Sequence, residues 1–182
     1  LSCRGTFEKE LSLDPWYKTE KLENHSFASS EKRIDLYAEL QFDRLTKEDG
    51  QLSQLDVMSI IQDSSGFLWF ATEYGINRYN GIDSLVFLNN AKNENSLSSN
   101  WVWELMEDSK ENIWIGTLNG GLDKFSPSTG QFKHYRYEAS NENSISSDEI
   151  ITLHEDPNGT IWVGCRNGLN RYSEESDSFT RF

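Results

Sequence analysis

One phrase occurs three times in this chain and limits its fold more than any other feature. It reads Asp-Ser-Ser-Gly-Phe-Leu-Trp-Phe-Ala-Thr at positions 63–72, and variants of it return at 108–117 and 156–165. Its tryptophans, Trp69, Trp114 and Trp162, are 45 and then 48 residues apart. A repeat of this length that is rich in strand-forming residues is typical of the blades of a β-propeller.

The second unit divides into four short strands separated by turn sequences. We predict them at Val102–Glu107, Ile113–Thr117, Leu122–Ser126 and Gln131–Tyr137. The segments lack the 3.6-residue period of a helix, and the short connections between them favour an antiparallel meander. The sequence therefore predicts an all-β fold: a partial β-propeller of three four-stranded antiparallel blades at about 55–90, 100–138 and 148–182.

The residues that recur in every unit are interpreted as structural. A tryptophan fills the layer between blades, and an aspartate at the start of a turn accepts hydrogen bonds from backbone amides. Gly66 and Gly159 are predicted to have positive φ in the first turn; the second unit has Glu111 there, and Asn112 is predicted to adopt the left-handed conformation instead. The predicted structural set is Trp69, Trp114, Trp162, Asp63, Asp108 and Asp156.

These motifs resemble the two-component regulator propeller repeat. The pattern Asp-x-x-Gly-x-Ile/Leu-Trp-Ile/Val-Gly-Thr, followed by Gly-Leu-Asn-Arg-Tyr, is matched at Asp63–Tyr79, Asp108–Phe125 and Asp156–Tyr172. The linkers Asn-Glu-Asn-Ser-Leu-Ser and Asn-Glu-Asn-Ser-Ile-Ser, at 93–98 and 141–146, also resemble the family. Residues 41–47 resemble its lead-in, an orphan outer strand that in closed propellers completes the last blade.

The resemblance implies a function. Family members are extracytoplasmic sensor regions that carry many such repeats, followed by a membrane span and a cytoplasmic histidine kinase or diguanylate cyclase. We accordingly expect a non-catalytic, periplasmic ligand-binding segment of a bacterial signal-transduction receptor. Carbohydrate is the ligand class that the resemblance implies.

Composition argues against some partners, and the first three residues suggest export. The net charge of −13 argues against nucleic acid, and no apolar run approaches the ~18 residues of a membrane span. Leu1-Ser2-Cys3 fits either a lipoprotein cleavage site with a lipid on Cys3 or the tail of a trimmed signal peptide. Residues 1–40 do not repeat and are expected to be a loosely packed or mobile leader.

Three blades cannot close a ring, since propellers usually have at least four. An open arc leaves two apolar blade faces uncovered, and such faces promote association. We therefore expect either that the chain is part of a longer sensor or that copies self-associate, two copies giving six blades.

Signals for catalysis are weak. His25, His134 and His154 have no metal-ligand spacing, and the sequence contains no phosphate-binding glycine loop or nucleophile elbow. We predict no enzyme activity, no cofactor and no metal site. An exported scaffold that assembles with other propeller chains stays open as an alternative, and a propeller enzyme as a third.

Candidate ligand-binding residues lie where the units differ. Alternating strand directions place the loops between second and third strands at the same end as the inter-blade linkers. Aromatic, amide and guanidinium groups there suit a sugar or another polar ligand. The alternative is that these are solvated loop residues and that Trp101 and Trp103 pack against the next blade. The candidates are Tyr74, Trp101, Asn119, Arg166 and Asn167.

Overall fold

A computed structural model describes residues 45–48, 50 and 52–182. These residues form three four-stranded antiparallel sheets, each with its strands in chain order. The leader at 1–40, Cys3, His25 and most of the lead-in strand at 41–47 lie outside the described residues. The predicted all-β partial propeller of three blades is confirmed.

Each blade is a meander of four strands. The first blade contains β1 (Val57–Gln62), β2 (Leu68–Thr72), β3 (Gly75–Tyr79) and β4 (Ser84–Phe87). The second contains β5 (Val102–Glu107), β6 (Ile113–Thr117), β7 (Leu122–Ser126) and β8 (Gln131–Tyr135). The third contains β9 (Ile150–Glu155), β10 (Ile161–Cys165), β11 (Gly168–Ser173) and β12 (Ser178–Arg181).

One predicted strand boundary is wrong. The strand predicted at 131–137 ends at Tyr135. The amide of Tyr137 donates instead to Oδ1 of Asp148 at 2.7 Å, so the backbone has left the sheet for the linker to the third blade.

The blades pack through their tryptophans. Trp69 stacks on Phe87 of its own blade, with ring centroids 5.5 Å apart, and contacts Phe125 of the next blade. Trp114 repeats the arrangement, stacking on Tyr135 and meeting Tyr172 of the third blade edge-on at 5.0 Å. Each buried cluster therefore joins one face of a blade to the facing side of the next.

The first turn of each unit is closed by its aspartate. In the first blade, Oδ1 of Asp63 accepts the amides of Ser65 and Phe67 at 3.1 and 2.8 Å. The second and third blades form the same turn around Asp108 and Asp156. This arrangement satisfies backbone donors that the turn leaves without strand partners.

In the first turn of the second blade, the residue with left-handed backbone conformation was predicted at the wrong position. Gly66 and Gly159 have φ of 90° and 80°, as expected, and in the second blade Glu111 itself has φ of 65°. The turn keeps its geometry because Asp108 still accepts the amides of Lys110 and Asn112, at 3.0 and 2.8 Å. Asn112 supports that carboxylate through its side-chain amide.

The outer faces of the first and third blades are uncovered among the described residues. Ile60 is 60% exposed, whereas Leu105 at the same position of the second blade is 2% exposed. At the other end of the arc, Leu169 is 43% exposed, whereas the equivalent Ile76 is fully buried. These differences follow from position in the arc, because the residue types are similar.

Candidate functional site

The five candidate residues lie at one end of the propeller. There, the loops between second and third strands meet the linkers that lead into the next blade. The amides of Gly75 and Gly121 donate to the carbonyls of Asn100 and Asp148 at 2.6 and 3.0 Å. We call this the linker end.

The structure brings only some of these residues into proximity. Trp101 lies against the loop that holds Asn119, because the amide of Leu118 donates to the Trp101 carbonyl at 3.0 Å. Arg166 is paired with Glu149, its Nη1 lying 3.2 Å from Oε2, so its charge is already compensated. Tyr74 and Asn167 are exposed in the loops of the first and third blades. Four pockets among the described residues are lined by other residues.

Each innermost strand contains a β-bulge that the sequence analysis missed. In β1 the pairing passes from Val57–Thr72 to Ser59–Ala71, which leaves Met58 as the extra residue. Trp103 holds this position in β5 and Ile151 in β9. A bulge redirects the side chain of its extra residue, and bulges are frequent beside functional sites. The available signal was the pair of consecutive apolar residues that opens each of these strands.

Trp101 and Trp103 are exposed to solvent even though the second blade has a neighbouring blade on each side. Both of its faces are covered, by the first and third blades. Trp101 and Trp103 are nevertheless 39% and 37% exposed. Each indole is therefore partly exposed to solvent although the second blade has neighbours on both sides.

An acidic side chain lies next to these indoles in the sequence. Glu104 follows Trp103 in β5 and is partly buried, and this desolvation raises the pKa of its carboxyl group. The innermost strands β1, β5 and β9 contact one another in order. Trp101, Trp103 and Glu104 lie close together in the chain where β5 begins, and we call these residues the inner-strand patch.

At the opposite end, polar groups are mostly paired with one another. A pocket of about 190 Å³ between the second and third blades is lined by Ser109, Lys110 and Glu155, among others. The Ser109 amide and hydroxyl donate to the Glu155 carboxylate, and Lys110 pairs with Glu174. Ser64 and Glu107 repeat the first of these contacts between the first and second blades. These bonds bind neighbouring blades together.

Two tyrosines share an aspartate near this pocket. The hydroxyls of Tyr135 and Tyr172 each donate to Oδ1 of Asp177 at 2.7 Å, and Lys133 pairs with the same carboxylate. Burial is the main cause that raises the pKa of both phenols, that of Tyr172 to about 12. Both hydroxyls therefore stay protonated near neutral pH and act as hydrogen-bond donors.

The remaining chemistry of the described residues is sparse. Cys165 is buried, and desolvation raises the pKa of its thiol, which disfavours the reactive thiolate. Within 45–48, 50 and 52–182, no three His, Cys, Asp or Glu side chains are grouped to hold a metal ion. The same residues include no helix with the length and apolar character needed to cross a membrane.

Comparison with known proteins identifies the repeats. Residues 51–74, 96–119 and 144–167 match the two-component regulator propeller family. No curated protein matches the sequence. Among solved structures, the chain is similar to the extracellular domain assigned to the hybrid two-component system BT3049 from B. thetaiotaomicron. That similarity has a TM-score of 0.71 and 28% identity, and it covers 77% of this chain and 20% of the other.

Two structures of the extracellular domain of BT4673 from the same organism are less similar. Their TM-scores are 0.43 and 0.32, with identities of 19% and 20%. The alignments cover 73% and 69% of this chain, and 26% and 23% of those chains. This chain thus corresponds to about a fifth to a quarter of the extracellular domains that it matches.

The three matched segments run from each linker through the first and second strands to the loop that follows them. They coincide with the three blades in number, order and spacing. The chain therefore carries three repeats of the two-component regulator propeller family.

Proposed function

We propose that this chain is a non-catalytic, extracytoplasmic sensor segment of a bacterial signal-transduction receptor. The observation that carries the proposal is the coincidence of three family repeats with a fold like that of the extracellular domain of a hybrid two-component system. Ligand binding shifts an equilibrium between arrangements of such a sensor, and an output domain reads the shift.

The inner-strand patch is the proposed ligand site. Trp101 and Trp103 offer flat apolar surfaces, while Glu104 and the Asn119 loop offer hydrogen-bonding groups. An aromatic surface beside a few polar groups suits a sugar or another small polar ligand. Tyr74, Arg166 and Asn167 extend the proposed contact surface around the same end. The repeats themselves supply the scaffold, whose aspartates and tryptophans are engaged in holding each blade together.

A glycan array followed by calorimetry on the 182-residue chain tests this proposal. We expect saturable binding of at least one oligosaccharide and no turnover of it. Trp101→Ala and Trp103→Ala should each weaken binding about tenfold or more, because each removes a stacking surface. Ile82→Ala, in an exposed turn between β3 and β4, is the matched control and should bind like the wild type.

Two results would contradict the proposal. Binding unchanged in both tryptophan variants would place the ligand elsewhere on the chain, and hydrolysis or lysis of the oligosaccharide would make the chain an enzyme.

One observation favours a second candidate function, that of an exported scaffold that assembles with other propeller blades. The outer faces of the first and third blades expose Ile60 and Leu169, whose counterparts in the second blade are buried. Apolar faces of this kind are suited to further blades. The self-association experiment described in the Discussion tests this function.

A further inference from the structure

The two linkers between blades share a pattern of hydrogen bonds around one serine. In the first, the hydroxyl of Ser96 accepts the amide of Asn90 at 2.9 Å and donates to the carbonyl of Asn93 at 2.8 Å. In the second, Ser144 makes the same bonds to Glu138 and Asn141, at 2.9 and 3.0 Å. The linkers can therefore be compared residue by residue.

Arg181 occupies the second linker. Its Nη2 donates to the carbonyls of Glu138 and Asn141 at 3.1 and 2.8 Å, and its Nε donates to the carbonyl of Ser144 at 2.8 Å. It also contacts the hydroxyl of Ser144, and its guanidinium lies 5.2 Å from the ring centre of Tyr137. One planar cation thus binds three main-chain carbonyls of this linker.

The first linker has a histidine in place of this arginine. His134 pairs with Asp123 across β7 and β8 as Arg181 pairs with Asn170 across β11 and β12. The shorter imidazole contacts Asp123 through Nδ1 and reaches the Glu94 carbonyl through Nε2, at 2.7 and 2.8 Å. Among the described residues, no arginine or lysine donates to the carbonyls of Asn90, Asn93 or Ser96.

A pocket adjoins the corresponding residues of the first linker. It has a volume of about 460 Å³, and its lining includes Asn90, Asn93 and Ser96, the counterparts of the three residues that Arg181 binds. The side chains of Phe87 and Phe132 also line it. The pocket therefore combines main-chain acceptors with apolar walls that suit an alkyl stem.

We propose that this pocket binds a guanidinium group on an alkyl chain, supplied either by a small molecule or by an arginine of another polypeptide segment. The bound group takes the place that Arg181 has in the second linker. The main-chain carbonyl oxygens accept hydrogen bonds, which suits a ligand with several donors, and the chain's net charge of −13 favours a cation over a neutral ligand. The site is formed by outer strands and a linker. The proposal that it binds a guanidinium group does not depend on the proposed sensor function.

Titration of the 182-residue chain with butylguanidinium, followed by NMR, tests this site. We expect saturable shifts of the Asn90, Asn93 and Ser96 amides. Butylurea, a neutral molecule of the same shape, should bind at least about tenfold more weakly, because hydrogen bonds from a charged donor are the stronger ones. Equal binding of the two compounds, or no saturable binding of butylguanidinium, would overturn the proposal.

Variants based on the comparison of the first linker with the second test where the site lies. The double variant His134→Arg with Asp123→Asn copies the third blade and should fill the pocket, which abolishes the butylguanidinium shifts. Lys133→Arg adds a guanidinium one residue away in β8, where the side chain pairs with Asp177, and should bind like the wild type. Persistent binding in the double variant contradicts the assignment.

A converse variant covers the case in which the double variant does not fold. Arg181→Ala empties the second linker and should create a second site, with new shifts at Glu138, Asn141 and Ser144. Failure to gain that site in the folded variant also contradicts the proposal. Tighter binding of acetyl-arginine methylamide than of butylguanidinium would identify a polypeptide as the source, and the reverse order would identify a small molecule.

Discussion

The indole N–H of Trp114 donates to Oδ2 of Asp108 at 2.7 Å. The same bond joins Trp69 to Asp63 at 2.8 Å and Trp162 to Asp156 at 3.0 Å. Each aspartate thus serves two purposes: one oxygen closes the first turn, and the other satisfies the only polar atom of an indole, which for Trp69 and Trp114 is buried between blades. A local turn and a long-range core contact depend on a single carboxylate.

Asp108→Ala should therefore cost more stability than the loss of a surface aspartate. We expect a decrease of about 2 to 4 kcal/mol in the free energy of unfolding, because it removes a turn cap and leaves a buried indole N–H without an acceptor. Urea denaturation followed by tryptophan fluorescence measures it. Asp83→Ala, in the exposed turn between β3 and β4, should cost less than about 0.5 kcal/mol. Equal effects of the two substitutions would show that the Asp108 carboxylate has no special role.

Glu111 provides a prediction in the stabilising direction. It has φ of 65° where the other two blades have glycine. The left-handed region costs a non-glycine residue about 1 to 2 kcal/mol. Glu111→Gly should stabilise the chain by about 0.5 to 1 kcal/mol, and Gly159→Ala should destabilise it by a similar amount. A β-carbon at Gly159 meets nothing nearer than 3.7 Å, so the second effect isolates backbone strain. Thermal unfolding of both variants would contradict this account if the two melting temperatures moved in the same direction.

Local pattern was enough to predict the blades. Strand alternation and turn residues act over a few positions, so the sequence placed β5, β6 and β7 at their observed bounds. The end of β8 was missed because the bond that ends it joins Tyr137 to Asp148, in the linker beyond it. The aspartate–indole bond had a signal that was overlooked, namely the constant six-residue spacing between Asp108 and Trp114 and between their counterparts.

Contacts between blades could not be predicted from single motifs. The bonds from Arg181 to Glu138, Asn141 and Ser144 span 37 to 43 residues, and nothing in the sequence near Arg181 indicates them.

The candidate ligand residues are a different case. Alternating strand direction predicted the end at which they lie, and whether they bind a ligand stays a prediction. The exposure of Trp103 depends on a bulge, which changes the side-chain alternation that sequence reasoning assumes.

His134 should make stability depend on pH. Both ring nitrogens face acceptors, Asp123 Oδ1 and the Glu94 carbonyl, which favours the doubly protonated ring. The hydrogen bond to Asp123 is the main cause that raises the pKa of His134 above 6.5, with opposition from desolvation and, more weakly, from Arg136. A raised folded-state pKa stabilises the fold below the unfolded value, and this contribution is lost as pH rises through the folded value.

His134→Gln should accordingly lose more stability at pH 5.5 than at pH 9. Urea denaturation of variant and wild type at both pH values measures the difference. Asp123→Asn should lower the pKa of His134, which an NMR titration of the ring protons would follow. An unchanged pKa in that variant, or a stability loss that is the same at both pH values, would contradict the pairing as the cause.

The uncovered blade faces predict self-association of the 182-residue chain. Ile60 and Leu169 are exposed at opposite ends of the arc, where their counterparts in other blades are buried in the inter-blade clusters. Joining two copies through these faces buries apolar surface on both sides, and two copies supply six blades.

Sedimentation velocity over a range of concentrations should show a reversible shift to a larger species. Ile60→Lys and Leu169→Lys should each weaken it, because a lysine ammonium is costly to bury in such an interface, whereas Ile82→Lys, in a turn, should leave it unchanged. A monomer at every concentration would show that neither face drives assembly of this chain by itself.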